Sequence, residues 1–124
     1  MPYQFQSRIR YSEIGEDKRL TLPGLINYFQ DCSTFQSETL GNGVDAMYAK
    51  GKVWVLAYWQ IEIKRLPVLG EEVTAQTWAH TFKGFQGERN YRMLDAKGSS
   101  IACANSLWIY VDLQTGHPVR VDKE

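Results

Sequence analysis

The stretch TLPGLINYFQDCSTFQSETLG (21–41) decides the fold. Thr21 offers a side-chain oxygen just ahead of an apolar-periodic run, as a helix N-cap does. Pro23 falls in the first turn, where a missing N–H costs nothing. Leu22, Leu25, Ile26, Phe29, Cys32, Ser33, Gln36 and Leu40 recur at the three-to-four spacing of one helix face. That face is apolar at its start and polar near Ser33 and Gln36. Gly41 stands where a helix ends in the left-handed conformation. The spacing predicts a helix over 22–40, about 28 Å long.

Outward from the helix the chain reads mostly as strand. YQFQSRIRY (3–11) points Tyr3, Phe5, Ile9 and Tyr11 one way, with Ser7 interrupting. Residues 12–20 are charged and form a loop, and VDAMYAK (44–50) predicts a short helix ended by Gly51. VWVLAYWQIEIKR (53–65) is apolar on both faces as far as Trp59, which predicts burial on both sides, and then alternates. EEVTAQTWAHTF (71–82), FQGERNYRML (85–94) and SSIACANSLWIYVDL (99–113) follow, separated by glycine-bearing turn signals. VRVDKE (119–124) is a polar tail. The order is β-α-β-β-β-β. A sheet must bury one face, and the long helix is the one element available to cover it. The expectation is an α+β domain in which a curved five-stranded antiparallel sheet wraps one long helix. Its open edges call for a second copy or a tandem partner domain.

Composition narrows the function classes. The 124 residues suit one domain, 1–124, and bury enough surface for a core without metal or disulfide staples. Fourteen Lys and Arg balance fourteen Asp and Glu, so the basic footprint of nucleic-acid binding is absent. Aromatics make up 13%, which fits a β-rich core or an apolar pocket. Cys32 and Cys103 have no metal-site spacing. The N-terminus lacks a signal-peptide pattern, and no apolar run is long enough to span a membrane as a helix. A cytosolic protein with reduced thiols is the expectation.

Three segments carry a family resemblance. LTLPGLINYFQD (20–31), KVWVLAYWQIEIKRLPVLGEEVTAQTW (52–78) and ANSLWIYVDLQTGHPVRV (104–121) resemble the N-terminal half of an acyl-acyl-carrier-protein thioesterase, over about residues 5–121. The resemblance implies a hotdog fold, commonly held in tandem pairs. It implies hydrolysis of fatty acyl thioesters, with acyl carrier protein or coenzyme A thioesters as substrate partners. It implies no metal or organic cofactor, and no nucleic-acid or membrane partner. The family's Asn-x-His catalytic pair belongs to the second domain. His80 and His117 are the two histidines here, and neither sits in that pattern. Two readings stay open: a single-domain hydrolase acting as a homodimer, or a non-catalytic acyl-binding half whose catalytic residues lie in a second hotdog domain.

The residues suggest candidates for either. Thioester hydrolysis needs a base or nucleophile, an oxyanion donor and an acyl pocket. Asp31, mid-helix, is one acid candidate, since a carboxyl buried under a sheet gains the raised pKa of a general base. Glu13, in Tyr11-Ser12-Glu13, is the other: single-domain hotdog thioesterases place an Asp in such a loop before a Gly-His, although Lys18 and Arg19 stand in the Gly-His place here. The acyl pocket draws on Leu25, Ile26 and Phe29 with Gln30 on the helix. On the long strand it draws on Trp54, Leu56 and Tyr58 or on Val55, Ala57 and Trp59, one residue of register separating the two sets. Asn105 is a buried amide candidate. Cys32 and Cys103 read as core fillers. Lys50, Lys52, Lys64, Arg65, Arg89 and Arg92 are the basic candidates for docking an acidic carrier.

Overall fold

The computed structural model describes residues 2–41 and 44–121, leaving aside the side chains of Val44 and His80. Strand β1 is Tyr3–Arg8, helix α1 Leu22–Thr39, helix α2 Val44–Lys50, and strands β2 to β5 are Lys52–Ile63, Glu72–Lys83, Gln86–Leu94 and Ser100–Asp112. They form one five-stranded sheet in the order β1-β3-β4-β5-β2, with every pairing antiparallel. Element boundaries agree with the sequence pattern to within two residues except in β1. That strand stops at Arg8, and Tyr11–Glu13 form a 3-10 turn that leaves Tyr11 exposed.

Local chemistry explains α1. Thr21 Oγ1 accepts from the Gly24 N–H at 3.1 Å, and Gly41 adopts φ +79 just past the C-cap. Leu25, Tyr28, Phe29 and Cys32 are its buried residues. The expected stripe is therefore rotated toward β1 and shortened at both ends: Leu22 and Leu40 are exposed, and Tyr28 stacks on Phe5 with ring centres 6.0 Å apart. The core is centred on Phe29, Tyr91 and Trp59, whose rings lie 4.9 to 6.3 Å apart.

A β-bulge settles which side of β2 meets the helix. The β2–β5 register slips between Leu56 and Tyr58, so Trp54 faces Tyr110, Leu56 faces Trp108 and Trp59 faces Ser106. The slip at Ala57 reverses the alternation, and Trp54, Leu56 and Trp59 share the helix-facing side. Strict alternation would have separated them. Burial of 53–59 on both sides is not seen: Val55 and Tyr58 are 47% and 49% exposed on the outer side. The reason is that, among the described residues, no second layer covers the outer side of the sheet. The polar tail is anchored through Val119 N–H to Tyr110 O and Val121 N–H to Gly84 O, both 2.9 Å.

Candidate functional site

Five strands make a concave face wider than one helix can cover. Helix α1 packs mainly over β3 and β1, while α2 rests on β2. Between the second half of α1, α2 and the concave side of the remaining strands lies a cavity of about 400 Å3. Its apolar walls come from Met47, Val53, Trp54, Phe82 and Trp108; Ser33 and Ser37 form its helix side. A second cavity of about 620 Å3 adjoins it, sharing Met47, Trp54, Phe82 and Arg89. The cavity thus sits under the part of α1 whose face turns polar at Ser33 and Gln36.

Trp54 holds its place by packing. Its ring lies 4.8 Å from that of Tyr110 and 5.9 Å from that of Phe82. Gly87 makes room for it: a Cβ there would come within 3.0 Å of two ring carbons of Trp54. Trp108 donates through Nε1 to Ser106 Oγ at 2.7 Å, and Ser106 in turn donates to the Arg89 carbonyl at 3.2 Å. Arg89 Nη1 donates to Gln36 Oε1 at 2.5 Å and to Thr77 Oγ1 at 3.2 Å, joining β4 to α1 and β3. Burial pushes the Arg89 guanidinium below its ordinary pKa, and it stays charged all the same. Among the described residues Glu88 is the one acid in these walls.

The sequence candidates scatter. Trp54 lines both cavities. Leu25 and Phe29 are fully buried core, Ile26 and Gln30 are partly buried, and Leu56 and Trp59 lie on the cavity's side of the sheet without lining it. Asn105 lies on the outer side, where its Nδ2 donates to Asn90 Oδ1 at 2.8 Å. Asp31 is exposed on α1. Glu13 is engaged elsewhere: its carboxylate accepts from the Arg10 N–H at 2.8 Å, the Arg10 guanidinium at 2.8 Å and the Tyr28 hydroxyl at 2.8 Å. Burial raises its pKa, but those donors outweigh burial and hold it below the usual carboxylate range. Neither acid lines either cavity. Cys32 is buried, donates to the Ala75 carbonyl, and has its thiol pushed up to about 12 by burial, so it is no nucleophile at neutral pH. Among the described residues no group of His, Cys, Asp and Glu is placed to hold a metal ion.

Sequence reasoning missed Met47, Phe82 and Trp108 and treated Arg89 only as surface charge. The available signal was the polar turn of α1 at Ser33, Gln36 and Ser37. A helix face that loses its apolar character while still opposing a sheet marks space rather than core.

Comparison with known proteins gives a consistent picture. Residues 2–124 match the family model described as the acyl-ACP thioesterase N-terminal domain. An acyl-[acyl-carrier-protein] hydrolase of Cuphea viscosissima is 26% identical over 86% of this chain and 28% of its own length. A Lactobacillus plantarum protein assigned as an oleoyl thioesterase superposes with a TM-score of 0.96 at 29% identity, over 98% of this chain and 48% of that one. An acyl-ACP thioesterase from Bacteroides thetaiotaomicron gives a TM-score of 0.89 at 26% identity, over 95% of this chain and 49% of that one. The chain spans about half the length of these solved structures and under a third of the Cuphea relative.

Proposed function

The chain belongs to the acyl-ACP thioesterase N-terminal domain family, and on that premise we propose that it serves the hydrolysis of fatty acyl thioesters by holding the acyl tail. The observation that carries this reading is the apolar cavity between Trp54, Trp108, Met47 and the polar half of α1. Its walls suit a methylene chain, and among the described residues Glu88 is the one acid that lines it. Water attack on the thioester carbonyl is assigned to residues of a second hotdog domain. That domain, or a second copy of this one, pairs along the open edge of β2, where Val55 and Tyr58 stand exposed. Acyl carrier protein or coenzyme A carries the acyl group. Cys32 and Cys103 are both free thiols, which fits a cytoplasmic setting.

The alternative is a single-domain enzyme using Asp31 or Glu13. Assay of the 124-residue chain on a long-chain acyl thioester separates the two. The first reading expects tail binding without turnover, and turnover once a catalytic hotdog half is added. Turnover by the chain alone that vanishes in Asp31→Ala or Glu13→Ala would establish the second.

A further inference from the structure

Arg89 is out of place in an acyl pocket. It is partly buried in the wall shared by the two cavities, which Trp54 and Phe82 also line, yet among the described residues no carboxylate pairs with it. Both of its hydrogen bonds go to neutral acceptors, Gln36 and Thr77, and both leave from Nη1. Nε and Nη2 have no acceptor among the described residues. A desolvated cation without an anion is unfavourable, and it gains most from a ligand that supplies one.

The second cavity extends the same pattern. Lys50, Lys83 and Arg120 join Arg89 in its wall, and among the described residues no acid does. Apolar space on one side and, on the other, four cations against the single carboxylate of Glu88 describe an amphiphile with one anionic head. A guanidinium whose Nε and Nη2 have no acceptor among the described residues matches a planar carboxylate, whereas Lys50, Lys83 and Arg120 are exposed and screened by water.

We propose that the joined cavities bind a free fatty acid, its tail between Trp54, Trp108 and Met47 and its carboxylate on Arg89. The proposal rests on the acyl-pocket reading above and adds a charge discrimination to it: the acid that hydrolysis would release carries the anion that Arg89 lacks, and the neutral thioester does not. Released product then competes with substrate for this domain.

The test uses tryptophan fluorescence, since Trp54 and Trp108 line the cavity. The 124-residue chain is titrated at neutral pH with decanoate, with decanol, and with decyl phosphate, all below their micelle concentrations. Decanoate is expected to bind about 10-fold or more tighter than decanol. Arg89→Met should erase that ratio, bringing decanoate to the level of decanol in the same variant, and Arg89→Lys should restore part of it. A purely structural role for Arg89 would not move the acid-to-alcohol ratio, and circular dichroism confirms that each variant is folded. Equal binding of decanoate and decanol by the unmodified chain, or a ratio that survives Arg89→Met, overturns the proposal while the tail pocket stands. Much tighter binding of decyl phosphate than of decanoate also overturns it, in favour of a phosphate head read by the rim. Binding of neither decanoate nor decanol removes both this proposal and the acyl-pocket reading.

Discussion

Tyr28 donates its phenolic hydrogen to Glu13 Oε1 at 2.8 Å, which ties the loop after β1 to the buried face of α1. The same carboxylate caps the turn at Arg10. Glu13 thus fastens the loop after β1 to α1, with its lone pairs already used. Glu13→Gln should cost roughly 1–3 kcal/mol, because the donors it serves lose a charged acceptor. Chemical denaturation of both forms measures this.

The pH dependence follows from the same bond. Glu13 has a folded-state pKa below its unfolded value. The folded state therefore binds the proton less readily, and the stabilisation is present above the unfolded pKa. It is lost as pH falls through the folded value. Stability curves for the unmodified chain and Glu13→Gln should stand apart at neutral pH and converge on acidification through the carboxylate range. A gap that persists into strong acid would contradict this assignment.

Gly87 and Trp54 set the size of the cavity. Gly87→Ala places a methyl against the Trp54 ring, which must move into the space beside it. The variant should lose about 1–3 kcal/mol of stability. It should also favour shorter acyl chains, each excluded methylene forfeiting about 0.8 kcal/mol of burial. Trp54→Ala should shift preference the other way, to longer chains. Titration with a series of fatty alcohols reads both shifts without involving Arg89.

The two thiols should differ sharply in reactivity. Cys32 is buried with its pKa pushed up to about 12, and Cys103 is exposed. Alkylation of the folded chain followed by mass spectrometry should label Cys103 alone, and labelling of Cys32 should require unfolding. Prompt modification of Cys32 in the folded chain would mean that α1 lifts from β3.

The element order was legible in the sequence because the Thr21 cap, the glycine stops and the switch from helical to alternating period are local signals. The side of β2 that meets the helix was not. The bulge at Ala57 is a cross-strand event, a slip of β2 against β5, and no residue type announces it. The cavity lies away from most of the acyl-pocket candidates for a related reason. Leu25 and Phe29 were correctly read as the apolar stripe, and that is why they are core: the best-packed part of the helix leaves no space for a ligand. Glu13 and Asp31 share a residue type suited to catalysis, and only geometry distinguishes a carboxylate held by three donors from one facing solvent. Arg89 looked like surface charge because the sequence does not show that its strand lies mid-sheet, beneath the helix's polar half.

The central claim is that an acyl tail lies beneath the second half of α1. Photo-crosslinking tests it most directly, with an acyl thioester bearing a diazirine at the tail end and peptide mapping of the adducts. The account predicts adducts on Met47, Trp54, Phe82 or Trp108. Adducts confined to the outer face of the sheet, at Val55, Tyr58 or Asn105, would contradict it.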